Sequence, residues 1–168
     1  MKTEISGKVL KFGDSIDTDV MLTGKYLDVS TSETAELAKH AMEVIDPDFP
    51  QKVKTSPILV AGKNFGCGSS REQAPVALKG CGVAVILAET IARIFFRNAI
   101  NIGMPIMVCP GITARVNEGD VLKVNLSSGE IENVTTGAKL KGERLPDFML
   151  EIIENGGLIA HREKEMQS

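Results

Sequence analysis

A chain of 168 residues with 43% hydrophobic and 24% charged residues can bury a substantial core, which excludes a disordered or fibrous protein. Its 19 Lys and Arg stand against 22 Asp and Glu, a net charge of −3 with no run of five like charges. Only 4% of residues are aromatic, so no cationic groove or stacking platform is on offer and nucleic acid is not an expected partner.

Ile5 to Lys11 alternates as a first strand, and Gly13-Asp14 with Asp17-Thr18-Asp19 supplies turn residues behind it. Glu33 to Met42 reads as a short helix that Pro47 and Pro50 keep from continuing. Ile58 to Ala61 is continuously apolar and ends at Gly62, the pattern of a strand covered on both faces. A glycine-rich loop, a helix to about Lys79, a strand at Val83 to Leu87, a helix from about Thr90 to Asn101 and a strand at Ile106 to Cys109 follow, so parallel pairing through crossovers is expected.

Beyond Pro110, Val121 to Leu126 and Glu130 to Val134 flank Ser127-Ser128-Gly129 as a hairpin, and Pro146 to Glu154 reads as a closing helix ended by Gly156-Gly157. The expectation is an α/β chain, residues 1–168 as one domain, with a mixed sheet, flanking helices and a barrel-like half built from the early and late strands.

The longest strongly apolar run, Val83 to Ala88, is six residues, and Met1-Lys2-Thr3-Glu4 leads into no apolar segment, so a cytoplasmic location with no membrane partner is expected. Cys67, Cys81 and Cys109 lie far apart without a C-x-x-C, and neither His40 nor His161 is beside a cysteine. Neither a disulfide framework nor a metal or iron–sulfur site within this chain is expected.

The most informative stretch runs from Ala61 to Pro75. It leaves a buried strand, passes Gly62, Gly66 and Gly68, and enters a helix whose start is read at Ser70, with Gln73 at the capping-box spacing. Outward N–H groups around Gly66, Cys67 and Gly68, joined by the positive end of a helix dipole, suit an anion. Arg71 adds a planar cationic fork matched to carboxylate or phosphate. As a dinucleotide site the loop fails, because Arg71 stands where the fingerprint needs its third glycine.

Four segments in order carry a resemblance over nearly the whole chain: Lys11-Phe12-Gly13-Asp14-x-x-Asp17-Thr18-Asp19-Val20, Gly24-Lys25-Tyr26-Leu27, Gly62 to Glu72, and Ala92 to Gly103. With these the chain resembles the aconitase superfamily, in particular the small subunits of 3-isopropylmalate dehydratase and homoaconitase-type enzymes. That resemblance implies a swivelling β/β/α domain that closes over a 4Fe-4S cluster held by a separate large subunit, with no cofactor bound by this chain. It also implies a lyase that removes and re-adds water on a substituted malate, as in leucine biosynthesis, with a dicarboxylate or tricarboxylate as substrate.

By the same resemblance Ser69 is the general base, Ser70 and Arg71 bind substrate carboxylate, and Asp19 lies at the edge of the site. Read from the residues alone, Ser69 or Ser70 also serves as a helix cap and Asp19 as a turn residue. Cys67 reads as a small residue between glycines or as an activated thiol. Arg93, Arg97, Asn98 and Asn101 share one helix face, read as a large-subunit contact, a solvated face or a strand cap.

The segment that selects the substrate's side group in this family reads Tyr26-Leu27-Asp28-Val29 here. Homoaconitase-type relatives resemble one another in an arginine where this chain has Asp28, and an aspartate repels a distal carboxylate. Leu27 and Val29 suit an alkyl group, which leaves isopropylmalate, dimethylmalate and a non-catalytic anion-binding module as readings to separate.

Overall fold

The computed structural model describes residues 3–167; Met1 and Lys2, where the leader reading begins, and Ser168 lie outside them. One mixed seven-stranded sheet organises the chain in the order β4-β3-β2-β1-β5-β6-β7. Its parallel half consists of β2 (Ile58–Ala61), β3 (Val85–Ala88) and β4 (Ile106–Val108), and its antiparallel half of β5 (Val121–Asn125), β6 (Glu130–Asn133) and β7 (Lys139–Lys141).

The first strand, β1 (Glu4–Lys11), joins the halves by dividing its length. Glu4 to Lys8 pair antiparallel with β5, and Val9 to Lys11 pair parallel with β2. β2 and β3 are buried at every position, as their unbroken apolar runs require, whereas β5 and β6 alternate buried and exposed residues because one face meets water.

The helices α4 (Gln73–Cys81) and α5 (Arg93–Asn101) form the crossovers of the parallel half. Shorter pieces precede and follow them: α1 (Thr18–Met21), a 3-10 turn at Gly24–Tyr26, α2 (Thr34–Ala38), α3 (Phe49–Lys52) and α6 (Ile112–Arg115). The Glu33 to Met42 helix is thus only five residues long, and Met42 has a left-handed φ of 59° that ends any helical continuation. Helix α5 starts at Arg93 instead of Thr90, because Ala92 is extended and its N–H donates to Phe65 O at 2.8 Å. The closing helix α7 (Asp147–Glu154) ends at Gly156 and Gly157, both left-handed, and a further helix, α8 (Leu158–Gln167), follows.

The sheet curls until its two outer strands approach. Glu143 N–H donates to Val108 O at 2.7 Å, and Gly142 lies against Met107 with no space for a Cβ. That corner contact gives the barrel-like half its form. No helix among the described residues is long and apolar enough to cross a membrane.

The buried polar anchor of the antiparallel half is Asn133, whose amide donates to Asp120 Oδ2 at 2.9 Å and Arg115 O at 3.1 Å and whose Oδ1 accepts from Thr135 and Thr136 N–H. The Asn117 N–H and this amide hold the Asp120 carboxyl below its usual range. Replacing Asn133 with Ala removes one of the two donors to Asp120 Oδ2 and takes the side-chain partner from Arg115 O and from the Thr135 and Thr136 N–H groups, and should cost about 2–3 kcal/mol of stability, read by urea denaturation at pH 7.

Candidate active-site loop and its cleft

The loop after β2 is fixed along both sides before it reaches its reactive part. On one side Lys63 N–H donates to Asp14 Oδ1 at 2.7 Å, Gly66 N–H to Ile16 O at 2.8 Å and Thr18 N–H to Cys67 O at 3.0 Å. On the other, Asn64 N–H donates to Thr90 Oγ1 at 2.7 Å, and Phe65 bridges to Ile91 in parallel. Gly66 has a φ of +81° and lies on the ring of Phe95, where any Cβ would overlap the ring; Phe95 in turn meets Phe65 edge-on at 5.3 Å.

With its base fixed, the loop turns Ser69 and Ser70 to solvent, and neither hydroxyl makes a hydrogen bond among the described residues. The buried Thr18 hydroxyl donates to Ser69 O at 2.7 Å, which sets the orientation of this stretch. The anion-binding N–H groups expected around Gly66, Cys67 and Gly68 are corrected to Gly68 through Arg71, which have no partner among the described residues, because Gly66 N–H is spent on Ile16 O and Cys67 N–H on Asn64 O at 3.4 Å. An open cleft of about 320 Å³ lies here, walled by Gly66 to Arg71 with Thr18 on one side and by Ala92 to Phe95 with Asn98 on the other.

Arg71 is 15% exposed and pairs through Nη1 with Asp19 Oδ1. The same nitrogen donates to Leu22 O at 3.4 Å, while Nε is buried without a partner. Nη2, which has no protein partner among the described residues and is not buried, is the part of the fork that stays open to a ligand. Asp19 itself is held in α1, whose first turn Asp17 caps by accepting Val20 N–H at 2.9 Å.

The capping-box expectation is corrected here: α4 begins at Gln73, its cap residue Glu72 makes no side-chain cap, and Ser70 lies in the loop. Gln73 is used otherwise, its amide donating to Leu27 O at 3.1 Å and Val29 O at 3.5 Å. This ties the Tyr26 to Val29 segment to the first turn of α4, although none of its four residues lines the cleft.

Tyr26 is engaged elsewhere. Its hydroxyl donates to Glu43 Oε1 at 2.9 Å and its ring stacks on His40 at 3.9 Å, with desolvation and the Glu43 carboxylate pushing the phenol up. Leu27 and Asp28 are exposed, and Val29 is half-buried. The structure thus brings together Gly66, Cys67, Gly68, Ser69, Ser70, Arg71 and Asp19 and places Tyr26, Leu27, Asp28 and Val29 beside them. Thr18 was legible only as part of the Asp17-Thr18-Asp19 turn; the contribution of Ile94 to the cleft wall had no sequence signal.

Comparison with known proteins follows the same outline. Residues 10–109 match the Aconitase C-terminal domain model. The chain is 55% identical over 166 residues to the isopropylmalate/citramalate isomerase small subunit of Methanocaldococcus jannaschii, covering 99% of this chain and 98% of that one. It is 50% identical over 163 residues to the 3-isopropylmalate dehydratase small subunit of Thermodesulfovibrio yellowstonii, covering 97% and 96%. A solved structure of 3-isopropylmalate dehydratase from Methanocaldococcus jannaschii superposes with a TM-score of 0.89 at 41% identity, covering 98% of this chain and 96% of that chain.

Desolvation pushes the thiols of Cys81 and Cys109 up to about 11, which keeps both protonated at neutral pH; Cys109 is buried, while Cys81, like Cys67 in the cleft, is partly exposed. Iodoacetamide at pH 7.5 should reach Cys109 only in denaturant and should alkylate Cys67 in the folded chain faster than Cys81, whose raised thiol holds little thiolate, as peptide mass spectrometry would show. Equal labelling of Cys109 and Cys67 in the folded chain would contradict the burial of Cys109.

Proposed function

The chain belongs to the aconitase C-terminal domain family, and from that premise we propose that its Ser69 to Arg71 loop supplies the base and a carboxylate anchor for a hydro-lyase acting on 3-isopropylmalate. It is the small subunit of a two-subunit enzyme of this family and so works with a large subunit. In this reading residues 1–168 form one swivelling domain that closes against that partner. The observation that carries the reading is the pair of unengaged hydroxyls beside an arginine with only part of its fork committed, all on one small cleft.

Dehydrating an alkylmalate requires removal of a proton from a carbon next to a carboxylate. Serine is a weak base, and its alkoxide needs positive surroundings. Here the unpartnered N–H groups from Gly68 to Arg71 and the Arg71 guanidinium supply them. Arg71 receives a substrate carboxylate on the donors that Asp19 and Leu22 leave open, and Ser70 adds a hydroxyl donor. Ser69 Oγ takes the proton while the electron pair of the C–H bond forms the alkene, the C–O bond on the neighbouring carbon breaks, and the hydroxide departs on the side of the site that the large subunit closes. Re-addition of water to the alkene diacid in the opposite sense completes an isomerisation.

The iron–sulfur cluster of the family does not fit this chain. Among the described residues no group of three or more His, Cys, Asp or Glu side chains is placed to hold a metal ion, and Cys81 and Cys109 are held as thiols by burial. We place the cluster on the large subunit.

For the substrate's side group, the exposed apolar Leu27 and the carboxylate of Asp28 support an alkyl substituent over a second distal acid. Citramalate, with its methyl group, is the second reading, favoured by the name of the Methanocaldococcus jannaschii relative.

The test is co-expression with the large subunit and assay of the assembled enzyme on 3-isopropylmalate, citramalate and homocitrate. Ser69→Ala should lower kcat by about 10²-fold or more with folding and assembly unchanged, and Arg71→Lys should chiefly raise KM. Turnover of Ser69→Ala at the wild-type rate would remove Ser69 from the chemistry. Asp28→Arg should shift kcat/KM toward homocitrate relative to 3-isopropylmalate by about tenfold. An unshifted ratio in the folded, assembled variant would put Asp28 outside the pocket.

A further inference from the structure

The cleft has a second cation that the proposed chemistry leaves unused. Arg93 lines it from the wall opposite the loop, at the first residue of α5, with Asn98 a little further along the same wall. Local electrostatics argue against a cation at that position. The helix macrodipole is positive there, the first turn holds no acidic residue, and Arg97 four residues on adds a like charge on the same exposed face. Neither arginine is paired with a carboxylate among the described residues, although the chain carries 22 acidic residues against 19 basic ones. No hydrogen bond or ion pair ties the Arg93 side chain to the rest of the fold among the described residues.

We infer that Arg93 binds the second carboxylate of the diacid substrate, across the cleft from Arg71, which holds the first. The inference rests on the reading of the Ser69 to Arg71 loop as the substrate site and extends it to a requirement for two acids. The wall that carries Arg93 is fixed to the loop through the Ala92 N–H bond to Phe65 O and the packing of Phe95 on Gly66, so Arg71 and Arg93 line one cleft whose walls are held to each other. A ligand bearing one carboxylate engages only one of them. Asn98, half-buried with an amide free of protein partners among the described residues, adds a donor on Arg93's side.

Arg93→Gln, Arg93→Lys and Arg71→Lys are compared in the assembled enzyme, with the large subunit in saturating excess and 3-isopropylmalate as substrate. Arg93→Gln should raise KM about tenfold or more with kcat within about threefold of wild type, and Arg93→Lys should recover part of the loss. Removing a cation from the positive end of α5 should leave the thermal midpoint of the chain unchanged or higher, so lost affinity cannot be attributed to lost structure. Succinate, as a competing diacid, should lose affinity for Arg93→Gln in parallel, while acetate should bind wild type and variant alike.

If KM is unchanged in Arg93→Gln but raised in Arg71→Lys, the inference is overturned and the loop reading stands. Unchanged KM in both overturns the two together. Weaker subunit association with a normal KM once saturated would assign Arg93 to the subunit interface and likewise overturn it.

Discussion

A guanidinium taken largely out of water must be given partners, and the site follows from how Arg71 is given them. Burying an unpaired cation costs several kcal/mol, so Asp19 and the Leu22 carbonyl are held where Nη1 can reach them. Both belong to the segment around α1, which itself depends on the Asp17 cap and on Thr18 bonding the loop at Cys67 O and Ser69 O. Loop and segment therefore form only together, and a short helix that would be marginal alone is stabilised by its contacts with the loop. The pairing is incomplete: Nε remains buried without an acceptor, and Nη2 has no protein partner among the described residues and is left as the donor for a ligand.

The parallel half was legible from composition because its central strands are buried on both faces, α4 is buried through Ala74 to Leu78 and α5 is amphipathic. Ile58 to Ala61 and Ile106 to Val108 lie where unbroken apolar runs put them, and the hairpin around Ser127 to Gly129 lies where turn residues separate two alternating runs. The failures share one cause, competition from partners distant in sequence. Ser70 and Gln73 have the spacing of a capping box, yet the Gln73 amide finds the Leu27 and Val29 carbonyls instead. Ala92 would extend α5 but for the bridge that the neighbouring Phe65 offers. Tyr26, which its motif presents as a pocket residue, has its hydroxyl and ring committed to Glu43 and His40, contacts that no local pattern announces.

Of the candidate site, the loop itself was readable because glycine spacing, paired serines and an arginine are local signals. Its second wall was only half readable. Arg93 and Asn98 could be placed on one helix face from periodicity, but that this face and the loop border the same cleft depends on the β2-α4-β3-α5 crossover, a property of the sheet. The division of β1 between two partners was equally invisible. Nothing in Glu4 to Lys11 marks the point, between Lys8 and Val9, where its pairing changes from β5 to β2.

The contact of Gly66 with the Phe95 ring makes the two sides of the cleft one rigid body. With no Cβ at Gly66 and the ring wedged between it and Phe65, neither side can move without opening the aromatic packing. The conformational entropy of arranging the anion-binding groups is consequently lost once, when the chain folds, and is not charged again at each turnover. Under the proposed swivelling closure, such preorganisation also divides labour between the subunits: widening or narrowing around the substrate comes from displacement of the whole domain, and the rate of opening is set by the surface it shares with its partner.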